Sequence, residues 1–268
     1  MLQATLLSSC WNSYKYLDQY LFGLSQLKSI SDKVSLTLAF GSVSDTYTDE
    51  DHQNIKSQVE KTCSEAGISL HFYVGKKEEN FYQTVNLLVA QTIGFTENYA
   101  QLNLDDLRFS ENLLAQIEAL QTNLIVYSDF LCTNDVVKCY QDYRAGVSMK
   151  AEETWPDVDM TNKEKYYREF KWSCFTTIKA QVFARIGVWD EQMTCASDYD
   201  FINRCLFFGI KPHKVPGISG IFMANGTGLS TKPNTAGVKD GYFVLQRFLG
   251  NKHCCIVNYG RKVLFRNL

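Results

Sequence analysis

Apolar and polar positions along this chain change period repeatedly, and the changes mark out alternating strands and helices. The run from Ala4 to Ser8 predicts a buried strand, after which Tyr14, Leu17, Tyr20, Leu21 and Leu24 recur at helical spacing. Val34 to Phe40 predicts a second strand, closed by Gly41 and a polar turn reaching Asp51. Asn54 to Ala66 predicts a helix ending at Gly67, the residue type best able to take the left-handed cap conformation. Ile68 to Val74 and Phe81 to Ile93 repeat the pair, and Gly94 stops the second helix. Tyr99 to Leu104 predicts a fourth strand, Ser110 is placed to cap a helix through Leu120, and Leu124 to Phe130 returns as a strand. Such alternation predicts an α/β fold, a mainly parallel sheet covered on both faces by helices.

Beyond this the period weakens. Thr133 to Lys171 is polar and charged, with Trp155-Pro156 in its middle, and predicts an irregular region or lid. A short strand is expected over Trp172 to Thr176 and a helix over Ala180 to Ile186. A turn at Gly187-Val188-Trp189-Asp190, a helix from about Asp198 to Phe208 and strand-like pieces from Lys211 to Met223 follow. The expected organisation is one α/β domain over residues 1–230 with a C-terminal basic, aromatic-rich appendage over 231–268.

Composition narrows the class. A chain of 268 residues with 45% hydrophobic and 21% charged residues has the balance of an ordinary globular protein. No apolar run approaches the roughly 20 residues of a membrane helix, and the start, Met1-Leu2-Gln3-Ala4, lacks the basic, apolar character of a signal peptide. The 9 Cys show no C-x-x-C spacing, so reduced thiols in a cytoplasmic protein are expected. Charge is uneven: from Lys232 onward seven basic residues face one acid, Asp240. Interleaved with Tyr242, Phe243, Phe248, Tyr259 and Phe265, that tail is suited either to packing back on the domain or to touching a membrane surface or a nucleic acid.

Candidate chemistry gathers where an open parallel sheet binds its ligands, beyond the carboxyl ends of the strands. Ser9, Cys10, Trp11 and Asn12 follow the first strand, Gly41 to Asp45, including Ser42, follow the second, and Asn103-Leu104-Asp105-Asp106 follow the fourth. Asp105 and Asp106 are carboxylates of the kind that hold Mg2+ or Mn2+ against a diphosphate. A second acidic cluster, Ser197-Asp198-Tyr199-Asp200, opens the helix at Asp198, where a carboxylate suits either a cap or a general base. Arg204, four residues beyond Asp200, is spaced to pair with it. The four His have no metal-ligand spacing, and no Walker or Rossmann glycine loop and no nucleophile elbow is present.

The order of these segments resembles glycosyltransferase family 2, with its GT-A fold. Leu6-Leu7-Ser8-Ser9-Cys10-Trp11-Asn12-Ser13-Tyr14-Lys15-Tyr16-Leu17 resembles the family's first strand, turn and helix. Asn86 matches an Asn of a following helix, and Asn103-Leu104-Asp105-Asp106-Leu107 falls at the Asp-x-Asp-Asp motif. Leu124-Ile125-Val126-Tyr127-Ser128-Asp129 also recurs. Phe183-Ala184-Arg185-Ile186-Gly187-Val188-Trp189-Asp190-Glu191, with Ser197 to Arg204 after it, resembles the Gly-x-Phe-Asp-Glu … Glu-Asp-Tyr-Asp … Arg block. The likeness runs from about residue 4 to about residue 230.

The resemblance implies an inverting hexosyl or related transferase that moves a sugar from a nucleotide-diphosphate sugar, a UDP-sugar in preference, to a hydroxyl. It assigns the metal, Mn2+ or Mg2+, to Asp105 with Asp106, and the base to Asp198. Donor contacts are assigned to Ser9, Cys10, Trp11, Asn12, Ser42, Asn103 and Asp105. Acceptor contacts are expected from the 133–171 region, Trp172, Ser173, Asp200 and the tail, with a glycan or lipid-linked glycan as the acceptor. Departures leave alternatives standing. Ala39-Phe40-Gly41-Ser42 stand where the family has Asp-Asp-Gly-Ser, so Phe40 replaces the acid that reads uracil, and Asn103 replaces the first Asp of the metal motif. A non-catalytic glycan- or nucleotide-binding or partner protein on the same fold is one alternative, and a transferase acting on modified nucleic-acid bases is another. No Gln-x-x-Arg-Trp motif appears, which argues against a processive synthase.

Overall fold

Side-chain alternation along the first strand divides the interior into two cores. In β1 (Gln3–Trp11), Leu6 and Cys10 join one buried cluster and Leu7 the other. A computed structural model describes residues 3–11, 13–43, 47–76, 79–169, 171–224 and 235–250. Asn12 and the tail beyond residue 250 lie outside the described residues.

Onto the Leu6 face pack Tyr20 and Leu24 of α1 (Leu17–Gln26), Leu38 and Phe40 of β2 (Ser35–Val43), and Ile55 and Val59 of α2 (Asp49–Ala66). α2 begins before Asn54 because Thr48 and Asp51 form a reciprocal capping box, and Gly67 closes it at φ 73° as expected. β3 (Ser69–Val74) edges the sheet. Val85, Leu88 and Val89 of α3 (Phe81–Thr92) cover Leu7 and Ala39 on the opposite face. β4 (Asn98–Gln101) is followed by β5 (Leu107–Arg108), α4 (Ser110–Ala119) and β6 (Ile125–Thr133). Next come α5 (Val136–Arg144), α6 (Lys163–Arg168), β7 (Thr177–Lys179), α7 (Ala180–Ile186) and α8 (Ser197–Phe207). β8 (His213–Met223) and α9 (Thr235–Leu249) complete the described chain.

The eight strands form one sheet in the order β3-β2-β1-β4-β7-β6-β8-β5. β3, β2, β1 and β4 run parallel, as does β6 with β8, while β7 and β5 are antiparallel insertions. This is the mainly parallel, helix-flanked α/β fold that the alternation predicts. No helix among the described residues is long and apolar enough to cross a membrane.

Several local expectations change. The 133–171 stretch contains α5 and α6: Asp135 caps α5 through the Lys138 N–H at 3.0 Å, and Val136, Cys139 and Tyr140 give it an apolar face. Residues 172–176 are not a strand, because the Ser173 hydroxyl accepts the Phe175 N–H (3.1 Å) and its carbonyl accepts the Thr176 hydroxyl (3.0 Å), folding the backbone into a turn. Ser110 is the first residue of α4 and not its cap; its hydroxyl accepts from Ser29 at 3.0 Å. α9 lays Phe243 and Val244 into the core beside α8.

β5 closes on β8 so tightly that a Cβ added to Gly220 would lie 2.2 Å from the Leu107 carbonyl oxygen. Because the obstacle is backbone, Gly220→Ala is expected to destabilise the fold by about 3 kcal/mol, the upper range for overpacking, and to lower the melting temperature by roughly 10 °C. An unchanged melting temperature would contradict the β5–β8 pairing.

Candidate active site

β1 and β2 extend past their apolar runs, so the predicted rim residues Ser9, Cys10, Gly41 and Ser42 lie inside the strands, Ser9 paired with Gly41 and Cys10 with Ser42. All four are buried. The hydroxyls of Ser9 and Ser42 find no hydrogen-bond partner among the described residues. Unpaired buried hydroxyls of this kind cost about 1–3 kcal/mol each, and here they sit at the carboxyl ends of adjacent strands. Cys10 faces the core; burial pushes its thiol up, partly offset by hydrogen bonds with Ser13 and Tyr47. Trp11 is half-buried at the strand end. Phe40 is fully buried, stacks on Phe72 and touches Tyr20, so it is a core residue.

The first acidic cluster is a tight turn between β4 and β5. Asp106 N–H donates to the Asn103 carbonyl at 3.2 Å, and Asn103 Nδ2 donates to Asp106 Oδ2 at 3.0 Å. Asp106 Oδ1 accepts the Met223 N–H at 3.1 Å, which ties the turn to the end of β8. Burial, reinforced by the Asp105 charge, holds the Asp106 carboxyl well above the usual carboxylate range. Asp105 is half-buried, with its backbone carbonyl held by Gln19 Nε2 at 2.6 Å. Burial raises its carboxyl too, while its own N–H and the Lys15 charge oppose that rise.

Beneath the turn lies Arg108, 1% exposed. It donates to Gln116 Oε1 (2.6 Å), the Phe175 carbonyl (2.9 Å) and the Gln101 carbonyl (3.0 Å). Burial lowers its guanidinium to about 9, against the favourable charges of Cys174 and Asp106. Arg108 thus joins β4, α4 and the 175–177 segment under the acidic turn.

The second cluster opens α8. Asp198 is half-buried, and one carboxylate oxygen accepts the Tyr199 N–H at 2.8 Å. Burial raises its carboxyl to about 6, with the Tyr199 and Asp198 backbone N–H groups opposing. Tyr82 of α3 stands behind it, its hydroxyl accepting the Ser197 N–H at 3.2 Å. Burial and then the Asp198 charge push the Tyr82 phenol well up. Asp200 does not reach the mouth: it is 0% exposed, with Oδ2 accepting from Arg204 Nε at 2.8 Å and Oδ1 from Arg247. The spacing to Arg204 announced the first pair; nothing local announced the second.

The 172–176 turn lies within reach of the charges of both acidic segments. Cys174 is half-buried, and its thiol, raised chiefly by burial, feels the charges of both Asp106 and Asp198. Trp172 is half-buried against Tyr127 (ring centroids 4.5 Å) and Trp155 (5.9 Å), whereas Ser173 is buried and occupied in the turn. Sequence reasoning missed Tyr82, Cys174 and Arg108. Only Arg108 left a trace, a lone charge between Leu107 and Phe109.

No group of three or more His, Cys, Asp or Glu able to hold a metal forms among the described residues. A Mg2+-like ion shared with substrate phosphates needs only one or two protein carboxylates. Asp105 fits that part, because the Asp106 oxygens already serve Asn103 and Met223.

The fold is similar to that of solved glycosyltransferases. S. aureus TarS 1-349 in complex with UDP-GlcNAc superposes with a TM-score of 0.63 at 13% identity, covering 96% of this chain and 68% of TarS 1-349. S. aureus TarS 1-349 without that ligand gives 0.58 at 15% identity, covering 92% of this chain and 71% of the other. The mannosyltransferase PcManGT from Pyrobaculum calidifontis, in complex with GDP-Man and Mn2+, gives 0.55 at 12% identity, covering 92% and 61%. No family model matches the chain, and no curated protein matches it in sequence.

Proposed function

We propose that this chain is an inverting glycosyltransferase that moves a sugar from a nucleotide-diphosphate sugar to an acceptor hydroxyl. The observation that carries the reading is Asp198: a half-buried carboxylate at the start of α8, raised by burial to about 6, next to a thiol that also senses the acidic turn. A base poised near neutrality is what deprotonation of a hydroxyl at the moment of attack requires. The donor assignment draws support from the fold, since its solved neighbours include complexes with UDP-GlcNAc and with GDP-Man and Mn2+.

In this reading Asp198 accepts the acceptor O–H proton as that oxygen bonds to the anomeric carbon. The bond from that carbon to the diphosphate oxygen breaks, and its electron pair leaves with the nucleoside diphosphate. Asp105 would hold Mn2+ or Mg2+, whose charge offsets that of the departing diphosphate. Asp106 and Arg108 keep the turn bearing Asp105 in place. The hydroxyls of Ser9 and Ser42 offer hydrogen bonds near the donor, and of Cys10 and Trp11 it is Trp11 that lies along the nucleotide base, since Cys10 faces the core. A UDP-sugar is favoured, although Phe40 means the base must be read by other groups. Trp172 is the acceptor-side aromatic, with a glycan or lipid-linked glycan as the acceptor class.

Asp198→Asn separates this reading from a capping role. The folded carboxyl binds its proton up to about 6, against an unfolded value of 3.8, so its stabilising contribution is present at low pH and is lost as pH rises through 6. At neutral pH the ionised, desolvated group is therefore a liability. Asp198→Asn is expected to raise the melting temperature there while lowering transfer by about 10²–10⁴-fold and sparing nucleotide binding. Sustained transfer, or a lowered melting temperature, would refute the base assignment. In the unaltered protein, transfer should fall as pH drops below about 6; a profile flat through that region would do the same.

Asp105→Ala tests the other side. Titration calorimetry should show that Mn2+ no longer strengthens nucleoside-diphosphate binding. An undiminished metal effect would remove Asp105 from that role.

A further inference from the structure

We infer that α9 is a clamp that sets the position of Asp198, with Asp240 and Arg247 as its positioning residues. The inference rests on Asp198 being the base. Its evidence begins at the start of α8: Ala196 stands at the cap position and makes no side-chain cap hydrogen bond, and the first-turn amide served from within the segment is that of Tyr199, bonded by Asp198 itself. The chain entering α8 is held from elsewhere. Asp240, 3% exposed on α9, accepts both the Thr194 N–H (2.6 Å) and the Cys195 N–H (3.0 Å) on Oδ2. Tyr82 takes the next free amide, that of Ser197.

The same face of α9, two turns on, holds the other end of the segment. Arg247, 7% exposed, donates through Nη2 to Asp190 Oδ2 at 3.0 Å and through Nη1 to Asp200 Oδ1. Arg204 completes the arrangement, donating to Asp200 at 2.8 Å and to the Val188 carbonyl at 2.7 Å, and also to the Ile186 carbonyl. Asp198 thus lies between two points staked by one helix, the 194–195 amides before it and the Asp200 carboxylate after it. The groups around its carboxyl come from α3 (Tyr82), the 172–176 turn (Cys174) and the α8 backbone. α9 touches none of the reacting atoms; it acts through the segment that carries the base. Displacing a catalytic group by about 1 Å costs on the order of 10²-fold in rate.

The test uses the full chain with Asp240→Ala and, separately, Arg247→Met, alongside Arg247→Lys. Hydrogen exchange is followed by mass spectrometry, and turnover by hydrolysis of the nucleotide sugar that the unaltered protein accepts. Exchange is expected to accelerate in peptides spanning residues 190–200 while those of β1 and β2 stay unchanged. With that change, kcat should fall on the order of 10²-fold with the donor KM and UDP affinity retained, and Arg247→Lys should recover part of the rate. Arg247→Met leaves Asp200 and Asp190 short of a partner and is the variant at risk of unfolding; Asp240→Ala removes the acceptor of two amides on the exposed side of the segment, where water can replace it, and decides the matter if that happens. Unchanged exchange over 190–200, or an unchanged kcat, in folded Asp240→Ala would overturn the clamp. If the unaltered protein turns over no nucleotide sugar, the functional reading fails by that result, and the exchange arm alone judges whether α9 holds the segment.

Discussion

A carboxylate taken out of water must be answered by donors or give up its charge, and that constraint organises the two acidic clusters of this protein. Each acidic cluster contains two carboxylates with opposite fates. In the first, Asp106 is consumed internally by Asn103 and Met223, and Asp105 is left at the mouth. In the second, Asp200 is consumed by Arg204 and Arg247, and Asp198 is left at the mouth. The buried member fixes the backbone, and the displayed member inherits that fixed geometry. Arg108 serves the first cluster and Arg247 the second, each a nearly fully buried cation reaching across chain segments distant in sequence.

The carboxyl ends of β1 and β2 follow a related logic. Ser9 and Ser42 hold buried hydroxyls that find no partner among the described residues, on adjoining strands. A fold tolerates such groups where a ligand or water completes them. Next to them Phe40 packs against Phe72 and Tyr20 and adds to the core.

Much of the fold was legible because the parallel strands carry their apolar runs locally, and because Gly67 ends its helix by a conformation few other residues adopt. The parts that were not legible have physical reasons. β5 and β7 span 2 and 3 residues, too short for any period to show, and exist only because β8 and β4 offer them partners. β1 and β2 outrun their apolar stretches because a serine reads as a loop residue even where the sheet buries it. α5 hides its apolar face among polar neighbours, and Ser173 converts an apparent strand into a turn. At the site, the Asp198 and Asp105 segments stood out by composition. The burial of Asp200 depended on an arginine 47 residues away, which no local pattern encodes.

The central claim is that the carboxyl edge of this sheet receives a nucleoside diphosphate together with a divalent ion. Melting curves of the full chain with UDP, GDP and other nucleoside diphosphates, each with and without Mn2+, test it most directly, since a ligand that binds only the folded state raises the melting temperature by mass action. The account predicts a rise with one nucleotide that is larger when Mn2+ is present. No rise with any nucleotide, with or without the ion, would contradict it.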